Sequence, residues 1–321
     1  MNILITGVAG FIGFSVAKHF LDKNYYVYGV DNLDNYYSIL LKKKRLKILK
    51  NFKKFKFKKI DLKKNSKLKK IFDKNKFEIV LHFAAQAGVR YTKKNPQKYI
   101  NSNIYSYINL IEILKDKNVK KFIYASSSSV YGDSKKFPCK ESQKLHPINI
   151  YSQSKLFNEK VSSYYSKKYN IKIIGLRFFT IFGEWGRPDM LIMKIFKSIK
   201  TNKTLMLNNY GNHYRDFTYI NDVCKILKKL IYSKLKYKHL IINICSNKPL
   251  KLTKIIKEID NLTLNKPKIK KRSLQKADIL KTHGDNSLIK RISGIKNFTD
   301  ISIGLQNTVK WFVDNKDKIK F

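Results

Sequence analysis

The sequence contains little cysteine. Three of its 321 residues are cysteines, Cys139, Cys224 and Cys245, and their spacing is unlike that of metal ligands. An odd number of scattered thiols is typical of free cysteines in a reducing compartment. We therefore expect a cytoplasmic protein that has neither structural disulfides nor a bound metal.

Long apolar runs are also missing. No stretch of about 18 apolar residues is available to cross a bilayer, so no membrane contact is predicted. Met1 and Asn2 lead straight into the apolar residues 3–5, which leaves no room for a secretory leader. Apolar residues make up 43% of the chain, a proportion that fits a globular core and not an intrinsically disordered protein.

Acidic residues are scarce, with 22 against 68 basic residues and a net charge of +46. Such a balance raises the question of nucleic-acid binding. However, only seven of the basic residues are arginines, whose planar guanidinium is preferred for reading nucleic acids. The lysines are spread along the chain, and residues 42–44 are interpreted as part of a solvated helix face. We expect no dedicated nucleic-acid site, and a positive field that attracts polyanionic substrates.

What the sequence does contain is an alternation of short apolar segments with longer segments of helical period. Strands are predicted at residues 2–6, 25–30, 55–60, 79–83, 121–125 and 171–178. Helices are expected between them, including one near 102–114 and one that begins near residue 151. This pattern predicts an α/β fold built on a Rossmann-type doubly wound parallel sheet.

The alternation loosens after about residue 180, which predicts a smaller α/β substrate-binding domain. We expect residues 1–178 to form a dinucleotide-binding domain and residues 179–321 to bind mainly the substrate. A strand near 240–245 is expected to return to the main sheet, so the boundary is not a single cut.

Three glycines follow the first predicted strand and open the first helix. Gly7, Gly10 and Gly13 are spaced three residues apart. Such glycines let the backbone turn tightly and approach a pyrophosphate, which binds at the helix N-terminus. The triplet is weak evidence by itself, but its position between a strand and a helix favours a dinucleotide site.

Acidic residues at the ends of the next strands support the dinucleotide site. Asp31 ends the second strand 24 residues after the first glycine, where a carboxylate binds both ribose hydroxyls and repels a 2′-phosphate. NAD is therefore favoured over NADP. Asp61 follows the third strand and is expected near the adenine. Ala84, Ala85 and Gln86 end the fourth strand, where a cofactor can lie across them.

Tyr151 and Lys155 are four residues apart, which places a phenol and an ammonium on one face of a helix. A tyrosine is a poor base at neutral pH because its ordinary pKa is near 10. Lowering the pKa by about three units requires roughly 4 kcal/mol, which the lysine and a positive nicotinamide ring are expected to provide.

A run of four serines, residues 126–129, directly follows the fifth strand. Ligands gather at the carboxyl ends of the strands in an open parallel sheet, so these hydroxyls are expected to face the same crevice as Tyr151. A serine-rich turn without a catalytic role is the alternative for any one of them.

Together these segments resemble the extended short-chain dehydrogenases, and within them most closely the UDP-glucuronate 4-epimerases. The resemblance covers nearly the whole chain and weakens after about residue 250. Its most specific parts are residues 87–91 and 187–190. The segments that carry it are residues 6–13, 31–32, 82–91, 126–132, Tyr151 with Lys155, 176–180, 186–190 and 215–220.

The resemblance implies a set of site residues. The catalytic residues are then Tyr151, Lys155, Ser127 and Ser128. The implied NAD contacts are Gly7, Gly10, Phe11, Ile12, Gly13, Asp31, Asn32, Asp61, Leu62, Ala84, Ala85, Gln86, Asn103, Tyr151 and Lys155. The implied contacts to a UDP-sugar are Arg90, Ser127, Ser128, Ser129, Tyr151, Thr180, Arg187, Arg215 and Asp278.

The same resemblance implies a reaction in which UDP-glucuronate and UDP-galacturonate interconvert through a 4-keto intermediate. Tyr151 takes the proton of the 4-hydroxyl, Ser127 or Ser128 hydrogen-bonds the 4-oxygen, and Lys155 holds the nicotinamide ribose. Arg187 and the serines are expected to receive the C6 carboxylate, and Thr180 and Arg215 the diphosphate. A homodimer is expected through the helices near 102–114 and 151–165.

Several alternatives remain at the level of sequence. Related 4,6-dehydratases carry an Asp-Glu pair before the Val-Tyr-Gly segment, and UDP-glucuronate decarboxylases carry a glutamate there, whereas this chain has serines. Both reactions are therefore disfavoured, and the main alternative is a 4-epimerase of another UDP-hexose or of a UDP-N-acetylhexosamine or its uronate. A non-catalytic RNA-binding protein and a dehydrogenase that releases NADH are more distant alternatives.

Overall fold

The computed structural model describes residues 1–88, 95–234, 236–275 and 279–319, and at its centre lies a seven-stranded sheet. The strands, numbered in chain order, are β1 (Asn2–Thr6), β2 (Tyr26–Asp31), β3 (Phe55–Lys59), β4 (Ile79–His82), β5 (Lys121–Ser127), β6 (Ile173–Phe178) and β10 (His239–Ile244). Their order is β10-β6-β5-β4-β1-β2-β3, and every neighbouring pair is parallel. The predicted doubly wound parallel sheet is confirmed.

The inner strands are largely apolar because both faces of the sheet are covered. All residues of β4 and of β6 are buried, without the alternation of a half-exposed strand. Helices cover the two faces of this sheet: α1 (Phe11–Asp22), α2 (Ile39–Lys50), α3 (Asn65–Lys74), α5 (Ser106–Leu114), α6 (Ile150–Lys168) and α8 (Ile220–Tyr232). Two large clusters of buried apolar side chains fill the space between sheet and helices.

The helix predicted at residues 102–114 begins earlier and less regularly. A short helix, α4 (Pro96–Tyr99), leads into a π-helical segment, Ile100–Tyr105, which continues as α5. The wider π-helical turn shifts the register of the side chains that follow. An ordinary helical period does not reveal such a turn.

The described residues after β6 add two small sheets and, besides α8, four further α-helices. A three-stranded sheet contains β7 (Thr180–Phe182), β9 (Tyr214–Tyr219) and β11 (Pro249–Lys251), and β8 (Leu205–Leu207) pairs with β12 (Ile269–Lys271). The other helices are α7 (Leu191–Thr201), α9 (Leu252–Leu262), α10 (Ser287–Ser293) and α11 (Ile301–Asn315), beside α8. Between them, β10 returns to pair with β6. In the described part of the chain, no helix is both long enough and apolar enough to span a membrane.

Candidate active site

A long cleft crosses the carboxyl ends of the central strands. The strand order reverses between β1 and β4, and in such sheets this reversal opens a ligand crevice. One end of the cleft is lined by the glycine turn that follows β1, by Asp31 and by Asp61. The other end is lined by Tyr151, Lys155 and Arg187.

The glycine turn is packed so closely that side chains are excluded. Gly7 has a φ of +70°, and a Cβ there would lie 2.6 Å from the backbone nitrogen of Ala84. A Cβ on Gly13 would lie 2.2 Å from the carbonyl oxygen of Gly7. Helix α1 begins directly after this turn without a side-chain cap or an acidic residue, so its first N–H groups can receive an anion.

Asp31 is held at the end of β2 by two backbone donors. The N–H of Ala9 donates to Oδ2 at 3.0 Å, and the N–H of Leu33 donates to Oδ1 at 2.7 Å. Burial raises the pKa of this carboxyl, while Lys42 and the two N–H groups act to lower it. Each oxygen has a further lone pair, so the carboxylate can still accept hydrogen bonds from two ribose hydroxyls.

Most of the predicted cofactor contacts line this end of the cleft. They are Gly7, Gly10, Phe11, Ile12, Gly13, Asp31, Asn32, Asp61, Leu62, Ala84, Ala85 and Gln86. Asn103 does not line it. Its amide donates to the carbonyl of Gln86 at 3.1 Å and to Ser154 Oγ at 3.0 Å, and accepts from the Gln86 N–H at 2.7 Å. Asn103 thus joins the segment after β4 to α6.

The interpretation of residues 42–44 as a solvated face is wrong for Lys42. This side chain is 6% exposed and lines the cleft. Its ammonium donates to the carbonyl of Asp34 at 2.7 Å and lies 4.7 Å from the centre of the Tyr37 ring. The reason is that α2 packs this face against the loop after β2, whereas Lys43 is exposed.

Tyr151 and Lys155 lie on the first turns of α6, which begins in a capping box formed by Asn149 and Ser152. The Lys155 ammonium lies 6.0 Å from the centre of the Tyr151 ring and donates to the Ala125 carbonyl at 2.8 Å. Burial lowers the pKa of Lys155 to about 8. Burial raises the pKa of Tyr151, while a hydrogen bond with Ser127 and the charge of Arg187 act to lower it.

The serine run divides into two parts. Ser126 and Ser127 line the cleft, whereas Ser128 and Ser129 begin a 3₁₀ turn and are not among its lining residues. Ser127 Oγ accepts hydrogen bonds from the N–H of Ser129 at 3.2 Å and from its hydroxyl at 2.9 Å. The structure therefore brings Ser127, and not the whole run, to Tyr151.

A buried ion pair behind the serine run was not identified from the sequence. Arg177 donates to Glu159 through Nε at 2.9 Å and through Nη2 at 2.7 Å, and both side chains are nearly inaccessible. Ser126 donates its hydroxyl to the same carboxylate at 2.5 Å. Glu159 is four residues after Lys155, so helical spacing was the available signal. The pair fixes the carboxyl end of β5 against α6.

Arg187 reaches the cleft from the loop between β7 and α7. Its Nε and Nη2 donate to the carboxylate of Asp189, at 2.9 and 2.7 Å, and the hydroxyl of Tyr36 donates to the same carboxylate at 3.1 Å. Tyr36 and Arg187 line the cleft. Asp189 was recognised only as part of a motif, and its contact with Tyr36 was not foreseen.

Four further substrate contacts were expected from the sequence. Thr180 and Arg215 are not among the residues that line the cleft. Arg215 donates to the carbonyls of Ile279 at 2.7 Å and Leu280 at 3.2 Å. Arg90 and Asp278 lie outside the described residues.

The chain is similar to known proteins over nearly its whole length. An uncharacterized protein of Methanocaldococcus jannaschii is 41% identical across 98% of this chain and 97% of its own. A UDP-glucuronate 4-epimerase of Thermodesulfobacterium geofontis is 38% identical across 99% of this chain and 98% of its own.

The fold is likewise similar to a solved structure. The UDP-glucuronic acid 4-epimerase of Bacillus cereus, in complex with UDP-glucuronic acid and NAD, superposes with a TM-score of 0.91. It is 28% identical, and the match covers 98% of this chain and 99% of that one. Residues 3–245 also match the model of the NAD dependent epimerase/dehydratase family. With the glycine turn, Asp31 and the Tyr151–Lys155 pair at one cleft, the chain belongs to this family.

Proposed function

We propose that this chain is an NAD-dependent 4-epimerase that interconverts UDP-glucuronate and UDP-galacturonate through a 4-keto intermediate. The observation that carries the proposal is the arrangement of Tyr151, Ser127, Lys155 and Arg187 at the end of the cleft opposite Asp31. These side chains supply a proton acceptor, a hydroxyl, a buried ammonium and a cation for an acidic sugar.

NAD fits the end of the cleft that is lined by the glycine turn and Asp31. The close packing of Gly7 and Gly13 leaves room for a pyrophosphate beside the first turn of α1, and Asp31 receives the adenosine ribose. A carboxylate at this position disfavours a 2′-phosphate and therefore NADP. When bound, NAD supplies a hydride acceptor that returns the same hydride, so the reaction causes no net oxidation.

Tyr151 and its neighbours carry out the proton transfer. Tyr151 takes the proton of the sugar 4-hydroxyl, and Ser127 hydrogen-bonds the same oxygen because it already contacts the phenol. Lys155 is held by the carbonyl of Ala125 and keeps a positive charge near the phenol and the nicotinamide ribose. Inversion at C4 requires the 4-keto sugar to present its opposite face before the hydride returns, and Tyr151 then gives its proton back to the 4-oxygen.

The carboxylates of the cleft favour epimerisation over the related reactions. Among the described residues that line it, the carboxylates are Asp31 and Asp61, at the carboxyl ends of β2 and β3, and Asp34 in the loop after β2. Asp34 is paired with Lys98 at 2.9 Å. Loss of water or of carbon dioxide needs an acid or base near C5 and C6, where this cleft instead presents Ser127 and Arg187. Arg187 suits the C6 carboxylate of a uronate.

The proposal assigns the two ligands to different parts of the chain. Residues 1–178, with the returning strand near 240–245, bind NAD, and residues 179–321 bind mainly the UDP-sugar. Support comes from β10, which completes the central sheet while the two small sheets lie outside it. Thr180 and Arg215 as diphosphate contacts, and Arg90 and Asp278 as further substrate contacts, remain predictions.

The proposal also includes an oligomeric state and a cellular compartment. Exposed aromatic side chains cluster around α6 and the preceding π-helical segment: Tyr105 is 52%, Phe157 is 38% and Tyr164 is 55% exposed. Exposed apolar groups of this kind favour a homodimer formed through these helices. The three free and buried cysteines suit a cytoplasmic enzyme, which would supply uronates for polysaccharide biosynthesis.

A single assay tests the activity. The purified protein is incubated with UDP-glucuronate without added NAD, and the nucleotide sugars are separated by chromatography. We expect UDP-galacturonate to form until both epimers are at equilibrium. UDP-pentose would indicate decarboxylation, and turnover only of UDP-glucose or of a UDP-N-acetylhexosamine would reject the uronate assignment. Stoichiometric NADH release would reject epimerisation.

A further inference from the structure

Arg45 is a buried cation that takes no part in the chemistry proposed above. It lies on α2, and its side chain is fully inaccessible. Nη1 donates to the carbonyl of Ala9 at 2.9 Å and to the hydroxyl of Tyr37 at 2.8 Å. Nη2 donates to the carbonyl of Gly186 at 3.1 Å and also to that of Trp185. Arg45 is 36 residues from Ala9 and 141 residues from Gly186 in sequence, so one guanidinium joins two segments that are far apart along the chain.

The first of these segments belongs to the dinucleotide end of the cleft. Ala9 lies within the glycine turn, and its N–H donates to the Asp31 carboxylate at 3.0 Å. Ala9 is therefore held from both sides, by Asp31 through its N–H and by Arg45 through its carbonyl. A shift of the glycine turn would displace one of these hydrogen bonds.

The second segment leads directly to the sugar end. Trp185 and Gly186 directly precede Arg187. Because Arg45 fixes their carbonyls, it also fixes the backbone orientation from which the Arg187 side chain extends into the cleft. Trp185 has a φ of +58°, a left-handed conformation that is unfavourable for a bulky residue. Its ring packs against Phe14 and Trp311, at centroid distances of 5.6 and 5.2 Å. Such a conformation persists where the surroundings over-determine it.

The geometry of an arginine matches this task. Its planar, rigid group carries donors on two sides, which a lysine ammonium on a flexible stem cannot reproduce. Burying a cation is unfavourable unless its donors are satisfied. Here Nη1 and Nη2 donate to carbonyls and a hydroxyl on separate loops, while the buried Nε has no hydrogen-bond partner among the described residues. A contact that served only to pack α2 would need neither a charge nor two sets of acceptors.

We propose that Arg45 is a positioning residue that couples the glycine turn of the dinucleotide site to residues 185–187, and so places Arg187 for recognition of an acidic sugar. The inference rests on the proposed function. Its consequence is that preference for a uronate over a neutral sugar depends on Arg45 and on an occupied dinucleotide site.

The test measures binding without turnover. In a Tyr151→Phe background with NAD bound, Kd values for UDP-glucuronate, UDP-glucose and UDP are measured by calorimetry. Arg45→Met and Arg45→Lys are each expected to reduce the preference for UDP-glucuronate over UDP-glucose at least fivefold, with the Kd for UDP changed less than twofold. Lys47→Met alters an exposed residue of the same helix and is expected to leave all three values unchanged.

A second arm needs no change at Arg45. Removing NAD from the Tyr151→Phe protein is expected to lower the same preference. An unchanged preference for UDP-glucuronate over UDP-glucose in a folded Arg45 variant would overturn the proposal. An unchanged preference after NAD removal would also overturn it, and this second measurement decides the question if neither Arg45 variant folds. The proposal would also be overturned if the Tyr151→Phe protein with Arg45 intact showed no preference for UDP-glucuronate over UDP-glucose. Failure of the proposed function has a different signature, because the protein with Tyr151 intact would then not convert UDP-glucuronate.

Discussion

The carboxylate of Asp189 holds one edge of the Arg187 guanidinium through two hydrogen bonds, from Nε at 2.9 Å and from Nη2 at 2.7 Å. Paired bonds of this kind fix the plane of an arginine as well as its position. The two charges also act on Tyr151 in opposite directions, since Arg187 lowers the pKa of the phenol and Asp189 raises it. The pair therefore bears on both substrate recognition and proton transfer.

Asp189→Asn is expected to loosen Arg187 and to raise the KM for UDP-glucuronate about tenfold, or about 1.4 kcal/mol, as for the loss of a charge-assisted hydrogen bond. The variant also removes a negative charge that raises the pKa of Tyr151. The acidic limb of the kcat profile should therefore move to lower pH. Steady-state kinetics across the pH range measure both effects.

Asp133→Asn serves as the control for Asp189, because Asp133 is an exposed carboxylate paired only with exposed Lys135 in the described contacts. It should leave KM and the pH profile unchanged. An Asp189→Asn enzyme whose acidic limb stays in place would show that Asp189 does not influence Tyr151.

Tyr151→Phe is expected to reduce kcat by about 10³-fold, within the range for loss of a general acid–base group. The ring contact with Tyr99, at a centroid distance of 6.1 Å, is retained by phenylalanine, so binding of UDP should change little. Conversion of UDP-glucuronate and calorimetry with UDP provide the two measurements. Tyr237→Phe, at an exposed tyrosine that does not line the cleft, is the matched control. A Tyr151→Phe enzyme with full activity would refute the proposed mechanism.

Lys155 makes the stability of the NAD-free protein depend on pH. Burial lowers its pKa from 10.5 to about 8, so below pH 8 the folded state bears the full cost of a buried ammonium. Between pH 8 and 10.5 the unfolded chain binds a proton that the folded chain has released, and the contribution to the free energy of unfolding rises with pH.

Urea denaturation of the unmodified chain and of Lys155→Met at pH 7.5 and 9.5 isolates this contribution from that of the other lysines. The unmodified chain should gain about 2 kcal/mol relative to the variant over this interval. If the free energies of unfolding of the two proteins differed by the same amount at both pH values, the pKa of Lys155 would be the same in the folded and unfolded states.

Gly7→Ala is expected to abolish tight NAD binding. The added Cβ would lie 2.6 Å from the backbone nitrogen of Ala84, so the glycine turn must move away from β4. Gly294→Ala is a suitable control, because Gly294 has a similar φ of +69° but no described atom within 4 Å of the added Cβ. Retained NAD after purification is measured by absorbance of the denatured extract. Equal NAD content in the two variants would contradict a role for the close approach of Gly7.

Much of the fold was predictable because its signals are local. A parallel sheet covered on both faces requires apolar strands, and β4 and β6 are entirely buried. Element boundaries were less accurate. The strand predicted at residues 121–125 continues to Ser127, because hydrogen bonding to the neighbouring β6 extends it.

The parts of the site that depend on short spacing were predictable from the residues alone. Four residues in a helix place Tyr151 and Lys155 on one face, and the turn between β1 and α1 requires glycine where the chain approaches β4. A carboxylate at the end of β2 follows from the strand pattern. The helical spacing and the strand end are local relationships, whereas the close approach that requires Gly7 is made by Ala84, from a distant part of the chain.

Which distant groups meet depends on how the elements pack in three dimensions. It brings Ser127 rather than Ser128 to Tyr151, buries Lys42 beside the cleft, and joins the glycine turn to residues 185–187 through Arg45. A lysine-rich helix has the same pattern whether its charges face water or a neighbouring loop. The choice depends on loops far apart in sequence packing together, and local periodicity contains no information about that contact.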